Sequence, residues 1–300
     1  MKKSKLPYYI GVDVGGTKIA AALITNNKIQ KRIKIPTESS RGKKVVLKNI
    51  ETAVREVWQK NVKAIGVSFA GQIDQKKGIV IVSPNFSKNF KNVKVAAFLK
   101  KKFKKPTFVE NDTNCFALAE SVLGAGKKYK YVVGLTIGTG VGSSMIFDGI
   151  IFHGENGAAG EWGHTSIVEN GLTCSCKQVG HFETYASGSG MSKLYKKITG
   201  KEKDTFYIEQ QAKKGDKHAK LVLKIMSESL GVGIANIINA LNPSIIIIGG
   251  GMIRVNDLWS PALKIARKKA VYPILKKTKI VKSKLKDDAG LLGATLIIRN

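Results

Sequence analysis

The chain has 300 residues, which is enough for one large domain or two ordinary ones with an ample core. Its apolar fraction of 43% is normal for a globular protein, and no apolar run reaches the roughly 20 residues that a membrane span needs. The N-terminal stretch has no apolar signal core, and three cysteines do not form a disulfide framework. We therefore expect a cytoplasmic protein that does not enter a membrane.

The formal net charge of +30 raises the question of nucleic-acid binding. However, 45 of the 51 basic residues are lysines, and they are scattered along the whole chain. The arginine forks and aromatic platforms that read bases are not concentrated anywhere. The densest run, KKKFKK at 100–105, is typical of the solvated end of a helix. We expect no specific nucleic-acid partner, only weak attraction to anions.

In chain order, the predicted elements alternate between strands and helices. A β-meander is predicted by YYIGVDVGGTKIAAALITNNKIQKRIKIPT, because its apolar runs alternate with turns. Helical spacing follows in VVLKNIETAVREVWQK, then a buried strand in VKAIGVSFAG. A strand, a polar turn and a helix are predicted by PTFVENDTNCFALAESVLGAG. The order ends with a glycine hairpin in YVVGLTIGTGVGSSMIFDGIIF, a helix in HAKLVLKIMSESLGVGIANIINAL, a strand in PSIIIIGGG and a last helix in DAGLLGATLIIRN.

Two of these segments share one plan, an apolar strand, a turn rich in Gly and Thr, and another apolar strand. They are IGVDVGGTKIAAAL and VGLTIGTGVGSSMIF, and the repeat predicts two related α/β halves. GVDVGGTK is not a Walker A loop, since it ends in Thr-Lys and a strand follows. GTGVGS is not a dinucleotide fingerprint, since position 143 is serine and the next segment is again strand-like. Paired glycine turns, with the hydroxyls of Thr17 and Thr139 beside them, favour binding of nucleotide phosphates.

The polar stretch ENDTN offers two carboxylates, Glu110 and Asp112, just past an apolar strand. In phosphoryl transfer to an alcohol, a carboxylate accepts the proton of the attacking hydroxyl. Asp112 also precedes a helix and could simply be its N-cap. The residues alone favour these two interpretations of Asp112 equally.

At this point the chain resembles the sugar kinases of the ROK family, within the actin/hexokinase superfamily. The resemblance covers nearly the whole length and rests on DVGGTK (13–18), ENDTNCFALAE (110–120), GTGVG (138–142), GAAGEWGH (157–164), CSCKQVGHFETYASG (174–188) and NPSIIIIGGG (242–251). It implies an α/β protein with the two-domain actin-like ATPase (ribonuclease H-like) fold and an active site in the interdomain cleft. We place a smaller α/β domain at residues 1–114 plus 288–300, and a larger one, with a zinc-binding loop, at 115–287.

The resemblance also implies ligands and roles for individual residues. Asp112 corresponds to the family's general base, and Asp13 would lie near Mg²⁺, although it could also be an ordinary turn aspartate. ATP contacts are implied at Asp13, Gly15, Gly16, Thr17, Lys18, Gly138, Thr139, Gly140, Gly249 and Gly250. Sugar contacts are implied at Gly71, Asn85, Asn111, Asp112, Glu161, His164 and Glu183.

The stretch CSCKQVGH at 174–181 combines two cysteines with a histidine. Thiolates and imidazoles suit tetrahedral zinc, and Cys174, Cys176, His181 and the earlier His164 supply four ligands. A disulfide closed over a single residue would be strained. Four protein ligands predict a structural Zn²⁺ rather than a catalytic one. Compared with the usual ROK motif Cys-X-Cys-Gly-X-X-Gly-Cys, Lys177 replaces a glycine and His181 replaces the last cysteine.

Two further histidines, His153 and His218, lack such a context, and we expect them on the surface. The sequence and its resemblance to the family thus predict ATP- and Mg²⁺-dependent phosphorylation of a hexose at its 6-hydroxyl, glucose to glucose 6-phosphate. The resemblance also implies a homodimer. Kinases of N-acetylglucosamine or N-acetylmannosamine are the enzyme alternatives. The alternative from another class is a ROK-type sugar-sensing regulator, but its DNA-binding domain would have to precede Asp13, where we expect no room for one.

Overall fold

The computed structural model describes residues 6–87 and 89–299, so residues 1–5, 88 and 300 of the predicted domains lie outside it. The strands are β1 Tyr8–Val14, β2 Lys18–Thr25, β3 Lys28–Pro36, β4 Val62–Phe69, β5 Gln72–Asp74, β6 Ile79–Val82, β7 Lys91–Val93, β8 Thr107–Asn111, β9 Tyr131–Ile137, β10 Val141–Phe147, β11 Ile150–Ile151, β12 Ile245–Gly249 and β13 Lys279–Lys282. The α-helices are α1 Lys43–Glu56, α2 Val95–Phe103, α3 Asp112–Val122, α4 Phe182–Ala186, α5 Gly188–Thr199, α6 Thr205–Lys213, α7 Lys217–Leu241, α8 Asn256–Lys269 and α9 Ala289–Leu296. Short 3-10 helices lie at Ser39–Arg41, Trp162–His164, Gly251–Arg254, Leu275–Lys277 and Lys286–Asp288.

The chain forms two compact units. The first consists of Met1–Lys127, Gly149–Ala159 and Leu285–Asn300, and the second of Lys128–Asp148 and Gly160–Lys284. The domain boundaries predicted from the sequence, after residues 114 and 287, stay a prediction.

The first unit contains a mixed sheet with the strand order β3-β2-β1-β4-β8. The meander β1-β2-β3 is antiparallel, whereas β4 and β8 run parallel to β1. Helix α1 covers this sheet with Val46, Ile50, Ala53 and Val54, which recur at helical spacing and are buried. A separate antiparallel sheet of β5, β6 and β7 belongs to the same unit.

The second unit repeats the plan that the sequence predicts. Strands β10, β9, β12 and β13 lie side by side in this order. β9 and β10 form an antiparallel hairpin, and β12 and β13 run parallel to β9. Each sheet is thus a glycine hairpin extended by parallel strands, which confirms the predicted internal repeat.

Helix α7 forms the core of the second unit. It is the one helix of the described residues that is long and apolar enough to span a membrane, but 67% of its most apolar window is buried inside the protein. Its buried side chains include Val222, Met226, Leu230 and Ile234, on successive turns of the helix. Burial in the core therefore accounts for its apolar composition.

Candidate active site and metal centre

Three polar residues stand side by side at the carboxyl ends of parallel strands in the first unit. Asp13 of β1 pairs with Ser68 of β4, and Ser68 pairs with Glu110 of β8. The Ser68 Oγ donates a hydrogen bond of 2.7 Å to Asp13 Oδ1. Parallel strands end at the same edge of a sheet, which is where open α/β sheets bind their ligands. We therefore expect catalytic groups at this edge of the sheet.

The charge of Asp13 is only partly compensated. Burial raises the pKa of this carboxyl above its ordinary value, and the hydrogen bond from Ser68 lowers it by a smaller amount. The carboxylate of Asp287 also raises the pKa, and Lys34 lowers it. A carboxylate with this surplus of negative charge is suited to attract a cation such as hydrated Mg²⁺.

The base candidate Asp112 begins α3 directly after β8, without the polar turn that the sequence predicts. Asn111, not Asp112, is the N-cap, because Asn111 Oδ1 accepts hydrogen bonds from the N–H groups of Thr113 and Asn114 at 2.8 and 3.0 Å. Asp112 is therefore not the N-cap residue, although its Oδ1 also accepts a hydrogen bond of 2.9 Å from the N–H of Thr113. Asp112 lies half-buried in the first turn, where an acidic side chain is also favoured by the helix dipole.

Asn111 also connects the start of α3 to the loop after β4. Its Nδ2 donates a hydrogen bond of 2.9 Å to the carbonyl oxygen of Gly71. The structure thus brings Gly71, Asn111 and Asp112 together, three of the residues that the sequence predicts to contact sugar.

His153 is not the surface residue that the sequence predicts. Its Nε2 lies 2.7 Å from Oε2 of the buried Glu110, and its side chain is 28% exposed. The two residues are 43 positions apart, and no periodicity or motif connects them. His218, by contrast, is exposed as predicted.

The first glycine turn, Gly15 to Lys18, is a tight hairpin between β1 and β2. The N–H of Gly15 donates to the carbonyl of Lys18 at 3.0 Å. The side chain of buried Thr37 stabilises the turn, because its Oγ1 donates a hydrogen bond of 2.7 Å to the carbonyl oxygen of Gly15. Thr17 and Lys18 remain exposed. A Cβ on Gly16 would lie 3.0 Å from the Cβ of Asn85, so the predicted sugar contact Asn85 lies against this hairpin.

The second glycine turn, Gly138 to Gly140, lies at the N-terminus of α5. The N–H of Gly188 donates to the Gly138 carbonyl at 2.8 Å, and Ser189 donates to the Thr139 carbonyl through both its N–H and its Oγ. Ser187 caps the helix by accepting a hydrogen bond from the N–H of Gly190. A glycine turn beside a helix N-terminus is suited to bind phosphate.

A cavity of about 730 Å³ opens beside this turn within the second unit. Its size suits a nucleotide. Its lining joins the turn, the start of α5, the start of α6 and the segment after β12, namely Gly138, Thr139, Gly188, Ser189, Ser192, Asp204, Thr205, Phe206, Glu209, Gly251, Met252, Arg254 and Val255. The glycines at the end of PSIIIIGGG have different positions. Gly249 ends β12, Gly250 forms a turn with φ +89, and Gly251 lines the cavity.

The four predicted zinc ligands lie together in the second unit. Ligand atoms of His164, Cys174, Cys176 and His181 are all within 4.8 Å of one another. The Nδ1 atoms of the two histidines are 3.3 Å apart, Cys174 Sγ lies 3.8 Å from His164 Nδ1, and Cys176 Sγ lies 3.3 Å from His181 Nδ1. Tetrahedral zinc with ordinary bond lengths requires ligand separations of about 3.3–3.8 Å. The three distances given match this range and all six separations are at most 4.8 Å, so the cluster fits zinc in ligand type and comes close to the required spacing.

The two thiols, which form no disulfide, differ in acidity. Burial raises the pKa of Cys174, but hydrogen bonds from the N–H of Cys176 and from Ser175, Thr184 and His181 outweigh burial and lower the pKa to about 6. The pKa of Cys176 is raised, by desolvation and by the neighbouring charge of Cys174. Two adjacent thiolates repel each other, and a divalent cation between them would remove that repulsion.

The loop that carries the ligands is shaped by turns and anchored in the core. Lys177 has φ +76 in the turn after Cys174, a position where the usual motif has glycine. Lys177 thus adopts the left-handed region that glycine favours. After His181, the fully buried Phe182 packs against α7, where a Cβ on Gly233 would overlap its ring.

The carboxylate of Glu183 connects this loop to the second glycine turn. Its Oε2 accepts a hydrogen bond of 3.0 Å from the N–H of Val141, and its Oε1 accepts one of 3.2 Å from Ser175 Oγ. Glu161 and His164 lie close together, with His164 Nε2 at 4.0 Å from Glu161 Oε2. With Nδ1 facing the other metal ligands, Nε2 of His164 remains on the opposite edge of the ring.

Sequence reasoning missed several residues of these sites. Ser68 and His153 carry no local signal, since their partners are distant in sequence. The run ASGSG at 186–190 could have indicated the start of α5, because serine before small residues is typical of an N-cap. Phe206, 69% exposed at the cavity, could have been singled out only by its position in the fold.

Comparison with known proteins identifies the family of the chain. The ROK family model matches residues 9–300. A glucokinase from Thermotoga maritima is 34% identical over 100% of this chain and 98% of its own. An N-acetyl-D-glucosamine kinase from Histophilus somni is 30% identical (96% of this chain, 98% of its own), and a xylose repressor from Caldicellulosiruptor bescii is 28% identical (96% and 77%).

Solved structures show the same fold. The ROK hexokinase from Thermus thermophilus has a TM-score of 0.86 and 27% identity, covering 97% of this chain and 99% of its own. A ROK glucokinase from Streptomyces griseus, solved with glucose and AMPPNP, has a TM-score of 0.82 and 28% identity, covering 97% and 98%. The predicted actin-like α/β fold is confirmed. With a family model that matches almost every residue, the chain belongs to the ROK family, as a member related to its sugar kinases.

Proposed function

We propose that the protein transfers the γ-phosphoryl group of ATP to the 6-hydroxyl of a hexose, with glucose as the substrate. The observation that carries this proposal is the position of Asp112. It begins α3 at the carboxyl edge of the sheet, and Asn111 takes the capping role that would otherwise explain it. Similarity to glucokinases supports glucose as the sugar.

In the proposed reaction, the sugar 6-hydroxyl oxygen attacks the γ-phosphorus and forms a new P–O bond. The bond from that phosphorus to the β,γ-bridging oxygen breaks, and ADP leaves with the electron pair. Asp112 accepts the proton of the hydroxyl. Mg²⁺ bound to the phosphates would neutralise the developing charge, with Asp13 oriented by Ser68 to hold its hydration shell.

The remaining residues bind and orient. The proposed sugar contacts are Gly71, Asn85, Asn111, Glu161, His164 and Glu183. The hairpins at Gly15–Lys18 and at Gly138–Gly140 would donate N–H groups to phosphate oxygens, and the 730 Å³ cavity would hold adenosine. Gly249 and Gly250 would act by shaping the segment that brings Gly251 to this cavity. Zinc at His164, Cys174, Cys176 and His181 would be structural. We also expect a cytoplasmic homodimer.

A second candidate is phosphorylation of N-acetylglucosamine or N-acetylmannosamine. The similarity to an N-acetyl-D-glucosamine kinase, 30% identical over 96% of this chain, favours it almost as strongly as the glucokinases favour glucose. The two reactions use the same base and donor and differ in one substituent of the sugar.

A coupled assay of ADP formation tests the proposal, with ATP, Mg²⁺ and a panel of glucose, mannose, fructose, N-acetylglucosamine and N-acetylmannosamine. The control is an Asp112→Asn preparation purified identically, which reveals contaminating host kinases. We expect the highest kcat/KM with glucose. A tenfold preference for an N-acetyl sugar would correct the substrate and leave the kinase assignment intact. Absence of turnover with every sugar would contradict the kinase assignment and favour a sugar-sensing role.

A further inference from the structure

The carboxylate of Glu110 lies beneath the first turn of α3. Its residue is only 5% exposed. Its Oε1 accepts a hydrogen bond of 2.7 Å from the N–H of Asn111 and another of 2.9 Å from Nδ2 of the buried Asn114. These two bonds join the end of β8 to the turn that carries Asp112. The orientation of this one carboxylate therefore bears on the position of the base.

The other oxygen of this carboxylate is bound by His153. The distance from His153 Nε2 to Glu110 Oε2 is 2.7 Å, and an ionised carboxylate can only accept, so Nε2 is the donor. The histidine is itself fixed, because its carbonyl oxygen accepts a hydrogen bond of 3.0 Å from the N–H of Ala159. That bond closes a turn over residues 153–159, which contains two glycines at positive φ.

We propose that His153 is a positioning residue for the phosphoryl transfer, acting through Glu110 on the first turn of α3. The inference rests on the proposed function, since it takes Asp112 as the base. A buried carboxylate keeps one orientation only while both oxygens have partners. Without the His153 donor, Oε2 is left unsatisfied, and the carboxylate rotates away from the N–H of Asn111. Asp112, the next residue, then loses its fixed position.

The size of the effect follows from the geometry that proton transfer requires. A displacement of about 1 Å in a reacting group can lower the rate by about 100-fold, even when the change lies outside the chemistry. Binding of ATP does not depend on the position of Asp112. The expected signature is thus a fall in kcat, calculated per folded enzyme, with little change in the KM for ATP. Loss of folded protein alone would leave both constants unchanged on that scale.

The matched variants are His153→Gln and His153→Leu. Glutamine places an amide N–H close to the position of the histidine Nε2 and keeps the donor, whereas leucine has a similar volume and removes it. We expect His153→Leu to lower kcat by roughly 10- to 100-fold and to leave the KM for ATP within about threefold. His153→Gln should stay within about threefold of the wild type. The control is His218→Leu, at an exposed histidine of the second unit, which should match the wild type.

Hydrogen–deuterium exchange gives a readout that does not depend on turnover. In His153→Leu, amides of both 107–116 and 150–159 should exchange faster than in the wild type, and in His153→Gln they should not. His153→Asn, whose amide is too short to reach Glu110, replaces the leucine variant if that one fails to fold, with the same expected losses.

The outcomes separate this inference from the proposed function. If Asp112→Asn is inactive while His153→Leu has wild-type kcat, the kinase stands and the positioning role is wrong. Equal losses of kcat in His153→Leu and His153→Gln would also overturn the inference, because they would show that the hydrogen bond is not what matters. If Asp112→Asn retains full turnover, the base assignment fails and the inference fails with it.

Discussion

At the scale of single residues, the two acidic side chains at the sheet edge, Glu110 and Asp13, differ in how many hydrogen bonds they accept. Glu110 receives hydrogen bonds at both oxygens, from Asn111, Asn114 and His153. Asp13, two strands away, receives one from Ser68, and burial raises its pKa. A fully satisfied carboxylate is a structural group, whereas an under-compensated one holds negative charge ready for a cation. The difference assigns a framework role to Glu110 and a ligand-facing role to Asp13.

Asp13→Asn should therefore raise stability near neutral pH while lowering activity. Because the folded-state pKa of Asp13 is raised above 3.8, ionisation costs the folded state stability as pH rises through that folded pKa. The amide keeps the acceptor for Ser68 and removes the charge. The gain over the wild type should be present at pH 7 and vanish below about pH 3.8, as urea unfolding at several pH values would show. Turnover should fall at least tenfold if the carboxylate serves Mg²⁺. A gain that is equal at pH 3 and pH 7 would contradict this assignment of charge.

Asp112→Asn should nearly abolish turnover while leaving sugar affinity within several-fold. The amide can still form hydrogen bonds to the sugar but cannot take its proton, a role worth roughly 10²–10⁴ in rate. Steady-state kinetics give kcat, and titration calorimetry gives the sugar affinity. Asn111 supplies the helix cap, so the variant should fold normally. Turnover close to that of the wild type would remove Asp112 as the base.

At the scale of elements, α9 lies directly on strands β1 and β4. The contact is possible because Gly66 has no side chain, and a Cβ there would overlap the carbonyl oxygen of Ala294. The last helix thereby closes the face of the sheet whose edge carries Asp13, Ser68 and Glu110. This close packing joins α9, near the end of the chain, to strands β1 and β4 of the first unit.

Gly66→Ala should consequently lower the free energy of unfolding by about 3 kcal/mol, the upper range for overpacking in a core. The helix must shift, because the obstructing atom is backbone rather than a flexible side chain. The control is Gly15→Ala, where the added Cβ would meet its nearest atom at 3.5 Å, an ordinary contact. Chemical unfolding of both variants measures the difference. Equal stabilities would show that α9 does not need this close approach.

The metal loop is the second element whose role can be tested. His181→Cys restores the usual ligand set and should bind one zinc per chain with activity intact. His181→Ala should lose zinc and, because Glu183 follows two residues later, should also raise the sugar concentration needed for half-maximal turnover. In the wild type, zinc affinity should fall as the pH is lowered, because zinc binds the deprotonated ligands and protons compete for them. Elemental analysis and chelator competition across pH are the measurements. Zinc well below one per chain in active protein never exposed to chelator would refute the site.

The sequence predicts those features whose determinants are local. Glycine hairpins, apolar strands and the spacing of Cys174, Cys176 and His181 can be found by inspection, because each depends on neighbouring residues. The N-cap of α3 is Asn111, whereas the sequence suggested the next residue, Asp112. Asn and Asp are equally good caps, and only the backbone dihedral angles decide between them. The His153–Glu110 pair and the Ser68–Asp13 bond depend on strand register and on loop packing, which no pattern along the chain reveals.

At the scale of the whole molecule, the net charge of +30 is the property that no proposed site explains. The ion pairs among the described residues are mostly exposed, and they consume few of the lysines. Exposed pairs contribute little to stability, typically less than about 1 kcal/mol each. The excess charge thus acts through its field, which should attract anionic substrates and polyanions alike.

Binding to nucleic acid should accordingly be weak, indifferent to sequence and strongly dependent on salt. Contacts between lysines and phosphates release counterions, so the logarithm of the binding constant falls linearly with the logarithm of the salt concentration. We expect two duplexes of unrelated sequence to bind equally at about 20 mM salt, and both to be largely released by about 200 mM, in a fluorescence anisotropy titration. The KM for ATP should rise much less over the same range, because the proposed phosphate contacts of the glycine hairpins are mainly backbone N–H groups, with Lys18 as the one lysine among them. A difference of tenfold or more between the two duplexes that persists at 200 mM salt would show sequence-specific recognition, and the chain would then have to be reconsidered as a regulator.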